Sequence, residues 1–360
     1  MALRGLFCTV SQQPGQGGIA RVSAAIGQVL KCQYDCTWRV VVAAPDTDAL
    51  TRRQKLRFGL QVLWHQLRRS EDALFFDHLG LATVQRWVPR MFRCRYGIFL
   101  HSIEVWSALD RHKLRTLQEA ALRVANSRYT AKRIAQAHPS VGDVQVCHLA
   151  LGLDRETFAP SEVLEEQHWT ALVDQVRKNS VLIVGRMMSS ERHKGHEELL
   201  RAWPFVLQGV PEAQLVVVGA GDDLEHYRSM AKQLGLAGHV LFTGRVPDLV
   251  LDAIYSRVAV FAMPSRAEGF GIVYLEAMRH RLACIASVHD AAGEIVVDGE
   301  TGFLVDQKNL GELASRLIEL LVDPALRSEF GRRGYERLCS HFSFQKFEAR
   351  MTELLLHLQQ

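Results

Sequence analysis

Val258-Ala-Val-Phe-Ala-Met263-Pro264-Ser-Arg-Ala-Glu268-Gly-Phe-Gly271-Ile-Val-Tyr-Leu-Glu276 reads in three parts: an unbroken apolar run, a turn with two glycines, and the opening of a helix. An apolar run without alternation marks a strand covered on both faces, as in a parallel sheet. Working outward, Val181–Gly185, Leu215–Gly219 and Val240–Gly244 repeat the pattern upstream, and Ala283–Ser287 is the last clear strand downstream. Segments of helical spacing separate them: 197–207 through Leu199, Leu200, Trp203 and Val206, then 224–234, 248–256, 271–280 and 309–322. Strict alternation of strand and helix predicts an α/β domain, a parallel sheet with helices on both faces. Ligands of such sheets bind beyond the carboxyl ends of the strands. The loops after Gly185, Gly219, Gly244 and Met263 are therefore expected to converge.

The first half repeats the theme, with strands expected near 5–10, 39–44, 73–76, 96–101, 123–126 and 144–148. A chain of 360 residues suits two domains. The expected division is an N-terminal doubly wound domain over 1–160, a polar linker over 161–178, a second such domain over 179–340, and a final helix over 341–360 returning to the first. The two domains are expected to face each other across a cleft.

Three groups of residues point to chemistry. Gly269 and Gly271 let backbone approach a ligand, and the N–H groups of Phe270, Gly271 and Ile272 at a helix start form a seat for an anion. Glu268 and Glu276 would be repelled by a phosphate there, so each needs another partner; ionised carboxylates accept hydrogen bonds, and sugar or ribose hydroxyls supply them. Arg186 and Lys194, across one loop at a strand end, can converge on a diphosphate, with Arg266 a third cation in reach. Gly17 and Gly18 open a helix after the first strand, where they too permit close approach.

The segment from Glu268 to Glu276 is similar to the Glu-x7-Glu signature of the family 4 retaining glycosyltransferases, which have the two-lobed GT-B fold. The resemblance covers most of 175–340. It implies that Glu268 meets hydroxyls of the transferred sugar, that Glu276 holds the ribose, and that the Gly269-Phe270-Gly271 amides take the diphosphate. Arg186 and Lys194 resemble the family's cation pair. Gly17 and Gly18 match its loop beside the donor phosphate. Phe99-Leu-His101-Ser-Ile-Glu104-Val-Trp106 resembles its His-Gly-x-Glu-x-Trp, which implies a catalytic role for His101 near the sugar. Asn126-Ser-Arg-Tyr-Thr130 resembles a supporting turn. The chain departs from the pattern at Ser102, Arg281 and Ala283, and in Asp290-Ala-Ala-Gly-Glu294.

The implied reaction is transfer of a hexose from a nucleotide-diphosphate sugar of the GDP-mannose or UDP-glucose type. The implied acceptor is a glycan or a polyprenyl-diphosphate-linked oligosaccharide of cell-surface polysaccharide synthesis. No metal or other cofactor is expected, because two cations and a helix start already supply positive charge. The alternative is a noncatalytic sugar-nucleotide or polysaccharide-binding protein of the same fold.

Charge is uneven: residues 1–160 carry a balance of +10 and 161–360 one of −6. A basic half predicts an anionic partner. No basic and aromatic interleaving of an RNA-binding kind is present, so no nucleic acid is expected. Residues 51–69 combine basic ends with a stripe of Leu56, Leu60, Leu63, Trp64 and Leu67. Such a helix either lies in a lipid interface or turns its stripe to the core; the first option gives peripheral contact with an anionic membrane through the basic domain. With no long apolar run and no secretory leader pattern, a cytoplasmic chain, at the inner face of the cell membrane, is expected.

Two motifs are set aside. Asp46-Thr-Asp48 imitates a metal-binding Asp-x-Asp but lies in a polar loop. Gly219-Ala-Gly221 lacks the third glycine of a dinucleotide turn and is followed by Asp222 and Asp223, which oppose a pyrophosphate. The seven cysteines form no disulfide or zinc pattern.

Overall fold

A computed structural model describes residues 3–10, 18–32, 36–43, 51–151 and 167–358. The chain divides into two units, one of residues 1–150 with 344–360 and the other of residues 151–343.

In the first unit the order is β1 (Leu3–Thr9), α1 (Gly18–Cys32), β2 (Cys36–Val42), α2 (Arg52–Leu67), β3 (Ala73–Phe76), α3 (Leu79–Ala82), β4 (Arg95–Leu100), α4 (Arg111–Glu119), β5 (Leu122–Ala125), α5 (Arg128–Ala137) and β6 (Gln145–Val146). The strands form one parallel sheet in the order β2-β1-β3-β4-β5-β6. Its chain direction of growth reverses between β1 and β3. Phe75, Phe76, Ile98, Phe99 and Val124 are fully buried along its centre, as all-apolar strands require when helices cover both faces. Ser127 caps α5 by accepting the Thr130 N–H at 3.0 Å, a structural role for that turn.

The second unit runs α6 (Gln167–Asp174), β7 (Ser180–Val184), α7 (His196–Gly209), β8 (Gln214–Val218), α8 (Leu224–Gln233), β9 (Val240–Gly244), α9 (Asp248–Tyr255), β10 (Val260–Ala262), α10 (Ile272–Arg279), β11 (Ala283–Ser287), β12 (Gly302–Val305), α11 (Leu310–Val322) and α12 (Pro324–His341). Its parallel sheet has the order β12-β11-β10-β7-β8-β9, so the switch point lies between β7 and β10. The last helix, α13 (Phe344–Leu356), belongs to the first unit, where Phe347, Met351 and Leu355 are buried.

Two features depart from the sequence reading, and a third decides between the alternatives it left open. The sheet gains β12, a strand of four residues that starts on a glycine; a Cβ at Gly302 would stand 1.9 Å from the carbonyl oxygen of Cys284, so close packing rather than apolar length defines it. Helix α12 also goes unmarked by its sequence, because charges cover most of its surface; Asp323 caps it, accepting the N–H groups of Ala325 and Leu326 at 2.9 Å. Third, the Leu56–Leu67 stripe of α2 does not enter the core. The helix buries Phe58, Val62 and Gln66 instead and leaves Leu56, Leu60, Trp64 and Leu67 exposed. A helix with apolar residues on two sides can bury only one, and here the narrower side is covered.

Candidate active site

The switch point of the second sheet builds the site. Strand β7 ends at Val184 and the chain continues through Gly185 and Arg186 to a short 3-10 turn, Ser189–Lys194. Gly195 then takes φ +93° and starts α7. A Cβ on Gly195 would lie 2.7 Å from the carbonyl oxygen of Pro264, so this glycine lets the loop after β7 press against the loop after β10. The backbone N–H of Arg266 seals the approach by donating to the carbonyl of His193 at 2.8 Å.

This junction places Lys194 beside Glu268. The Lys194 Nζ lies 3.4 Å from Glu268 Oε2, with both side chains about four-fifths covered at 18% and 20% exposure. Downstream, Gly271 adopts φ +93° and α10 begins at Ile272. A helix start leaves its first N–H groups without intrahelical acceptors and carries a partial positive charge. Phe270 is buried and packs edge-on against Phe342 at 5.9 Å, which anchors the turn.

Asp290 supports the same loop from below. One of its oxygens, Oδ2, accepts the Glu268 backbone N–H at 3.1 Å and the Ser265 hydroxyl; Oδ1 accepts the Ala292 N–H at 3.0 Å. The Ala291 N–H returns a hydrogen bond to the Glu268 carbonyl at 3.1 Å. Burial pushes the Asp290 carboxyl up to about 6, against the opposing pull of these hydrogen bonds. Sequence reasoning saw this stretch only as a departure. The available signal was an Asp two residues before a small residue at a turn, the pattern of a side chain that caps local N–H groups.

The remaining expected residues lie as follows. Glu276 is 5% exposed, and Oε2 accepts the Tyr255 hydroxyl at 3.0 Å. Arg266 pairs with Glu198 at 3.4 Å. Arg186 is 73% exposed and pairs with Glu191 at 2.5 Å, so among the described residues its ion pair is made within its own loop and not with Glu268. His196, beneath Lys194, stacks on Tyr227 at 5.3 Å, and burial, then the charge of Lys194, push its imidazole down to about 4. Being neutral, it adds no like charge under the lysine.

In the first unit, Gly18 opens α1 and Gly17 lies outside the described residues, as do Asp46 and Asp48. His101 follows β4 and is buried. Its Nε2 is 2.6 Å from the Asp77 carbonyl oxygen, which can only accept, so Nε2 carries the proton and Nδ1 is the basic nitrogen. Burial lowers its pKa. Glu104 accepts the His101 backbone N–H at 3.1 Å and lies 2.5 Å from His78 Nε2. Burial opposes charge on His78, but the adjacent Glu104 outweighs it and raises the pKa. The Asp77 carboxylate accepts the hydroxyls of Thr9, at 2.6 Å, and Ser23. Asp77 and His78, missed in the sequence, close the β1/β3 switch point of that sheet.

Residues 170–337 match the family model described as glycosyl transferases group 1. The chain is 34% identical over 270 residues to the GDP-mannose-dependent alpha-(1-6)-phosphatidylinositol monomannoside mannosyltransferase of Mycolicibacterium smegmatis, covering 71% of this chain and 68% of the relative. It is 29% identical over 360 residues to a lipopolysaccharide core biosynthesis mannosyltransferase of Rhizobium leguminosarum bv. viciae, covering 91% and 90%. Among solved structures it resembles the sucrose-phosphate synthase of Thermosynechococcus elongatus, with a TM-score of 0.78, 21% identity and 99% of each chain covered.

Proposed function

Since this chain belongs to the glycosyl transferases group 1 family and has the GT-B fold, we propose that it transfers mannose from GDP-mannose, with UDP-glucose the second choice of donor, and retains the anomeric configuration. The acceptor class is a glycan or lipid-linked oligosaccharide of cell-surface polysaccharide synthesis, met at the cytoplasmic face of the membrane. Support for mannose comes from the two relatives, both mannosyltransferases, one acting on a phosphatidylinositol mannoside and the other in lipopolysaccharide core biosynthesis.

The observation that carries the reading is the Lys194–Glu268 pair at the mouth of the switch point. In the proposed complex the donor diphosphate sits at the start of α10, where the Phe270, Gly271 and Ile272 backbone meets it. Lys194 and Arg186 neutralise the charge that develops on the leaving phosphate, an electrostatic term that often dominates catalysis. Arg186 reaches the site by exchanging Glu191 for phosphate, which its exposure permits. Glu268 accepts sugar hydroxyls and Glu276, oriented by Tyr255, accepts those of the ribose. His101 is proposed to act through its basic Nδ1, since Nε2 is held by the Asp77 carbonyl. The bond from the anomeric carbon to phosphate breaks as the acceptor oxygen bonds to that carbon on the same face. The acceptor proton passes to the leaving phosphate oxygen. Positive charge from Lys194, Arg186 and the helix start replaces a divalent cation, so the reaction is metal-independent.

Glu268→Ala tests this. Transfer from GDP-mannose is expected to vanish while GDP still raises the melting temperature by mass action. Transfer that survives the substitution removes Glu268 from the proposed role, and GDP binding with no transfer by the wild-type chain to any lipid-linked glycan favours a noncatalytic binding protein. Chelator should leave activity intact; strict Mg²⁺ dependence contradicts the proposal.

A further inference from the structure

Helix α2 is apolar on two sides, and only one of them is spent on the fold. At 100° per residue, Phe58, Val62 and Gln66 share the covered side, while Leu56, Leu60, Leu63, Trp64 and Leu67 fall within an arc of about 100° turned away from it. The covered side fixes the helix: Phe58 and Val62 are buried, and the Gln66 side-chain oxygen accepts the Cys94 N–H at 3.1 Å. On the outer arc, Leu56, Leu60, Trp64 and Leu67 keep between 45% and 55% exposure. The patch continues onto the next segment. Trp87, 53% exposed, lies so close to α2 that a Cβ on Gly59 would meet its ring at 2.2 Å, and Met91 beyond it is 75% exposed.

Cations frame this arc. Arg52, Arg53, Lys55, Arg57, Arg68 and Arg69 fall within residues 51–69, which contain no Asp or Glu. The Arg68 guanidinium lies 4.0 Å over the Trp64 ring. Among the described residues, Arg52, Arg53, Lys55 and Arg57 have no carboxylate partner. Large apolar side chains at the centre, long cationic side chains at the rim and a helix lying along the surface are what an interfacial helix needs: leucine and tryptophan enter the acyl boundary while arginines meet lipid phosphates. A second copy fits poorly. A two-fold contact would place the same six cations against themselves.

We propose that helix α2, with Trp87 and Met91 beside it, is a docking surface for an anionic lipid bilayer. The proposal deepens the function above by giving the chain its own grip on the surface that bears a lipid-linked acceptor. It rests on that reading only for the acceptor, since the lipid contact is measurable by itself.

Flotation of the purified chain with vesicles tests it, using phosphatidylcholine alone and phosphatidylcholine with phosphatidylglycerol. The expected result is binding at least about tenfold tighter to the anionic vesicles, weakened by added salt. Replacing Arg53 and Arg57 by Gln should lower that binding about fivefold for each charge removed. Leu60→Glu should lower it by about tenfold or more. Both variants alter exposed side chains and should keep the GDP-induced rise in melting temperature and transfer to a water-soluble acceptor. Equal binding to both vesicles, no flotation, or unchanged flotation of Leu60→Glu overturns the proposal. So does self-association that Leu60→Glu abolishes in the absence of lipid, which would assign the stripe to a second copy. A chain that floats on anionic vesicles yet ignores GDP keeps this surface and loses the proposed donor; a chain that binds GDP but never floats does the reverse.

Discussion

The Oδ2 atom of Asp290 accepts the backbone N–H of Glu268 at 3.1 Å, so the carboxylate proposed to grip the sugar is held in place by another carboxylate beneath it. The same oxygen accepts the Ser265 hydroxyl, which ties both ends of a four-residue loop to one atom. Asp290→Ala would strand these buried donors, a loss of about 1–3 kcal/mol for each unsatisfied group. Transfer is expected to fall more than tenfold, with GDP affinity less affected. Wild-type turnover in Asp290→Ala would separate the loop from the chemistry.

Asp290 also gives a pH signature. Burial raises its folded pKa from 3.8 to about 6, so the folded chain holds the proton more tightly than the unfolded chain. The sign follows: this group's contribution is most favourable below its unfolded value and is lost as pH rises from about 4 to about 6. Relative to Asp290→Asn, which cannot ionise, the wild-type chain should lose stability across that window and no further above it. Urea midpoints measured from pH 4 to pH 7 read the difference; a relative gain with rising pH contradicts the assignment.

Tyr255 donates to Glu276 at 3.0 Å in a site where the carboxylate is nearly covered. Tyr255→Phe removes that donor and little volume. A loss of about 1.5–3 kcal/mol in nucleotide binding is expected, because a hydrogen bond to a charged group contributes about that much. Calorimetric titration with GDP measures it, and an unchanged affinity detaches Tyr255 from the ribose site.

Lys194 and Glu268 should fail differently. Lys194→Met leaves the sugar contact but removes charge from the leaving group, so kcat is expected to fall about 10²–10³-fold. Lys194→Arg should recover part of it. A kcat equal to wild type in Lys194→Met would move the leaving group elsewhere.

Two glycines with positive φ provide an internal comparison. Gly195 and Gly235 have φ +93° and +70°, but only at Gly195 would a Cβ collide, with the carbonyl of Pro264. Gly235→Ala meets the conformational cost alone, about 1 kcal/mol. Gly195→Ala adds a backbone clash, and should be the more destabilising and the only one to depress transfer. Equal denaturation midpoints would mean the two loops do not depend on their contact.

Much of this molecule was legible in order along the chain. Strands β3, β9 and β11 match their sequence-read limits, because uninterrupted apolar runs ending at polar or glycine residues leave few other structures open to them. Strand β12 and helix α12 were not legible. One is four residues packed through a glycine, and the other hides its few buried residues, Phe330 and Leu338 among them, within a charged surface. The site divides the same way. Lys194 and Glu268 stand out by sequence spacing, whereas Asp290 and Tyr255 lie in ordinary-looking segments and matter through what they touch.

The sequence by itself determined the alternation of strands and helices, the glycine turn before α10, and the residue types beside it, since those follow from local preference and periodicity. Only the tertiary structure decided which loops meet, which carboxylate supports Glu268, and which side of α2 is covered. Sheet order is the physical reason. Hydrogen bonding β7 to β10 brings residues 74 positions apart to 3.4 Å, and no local pattern records which strands will be neighbours.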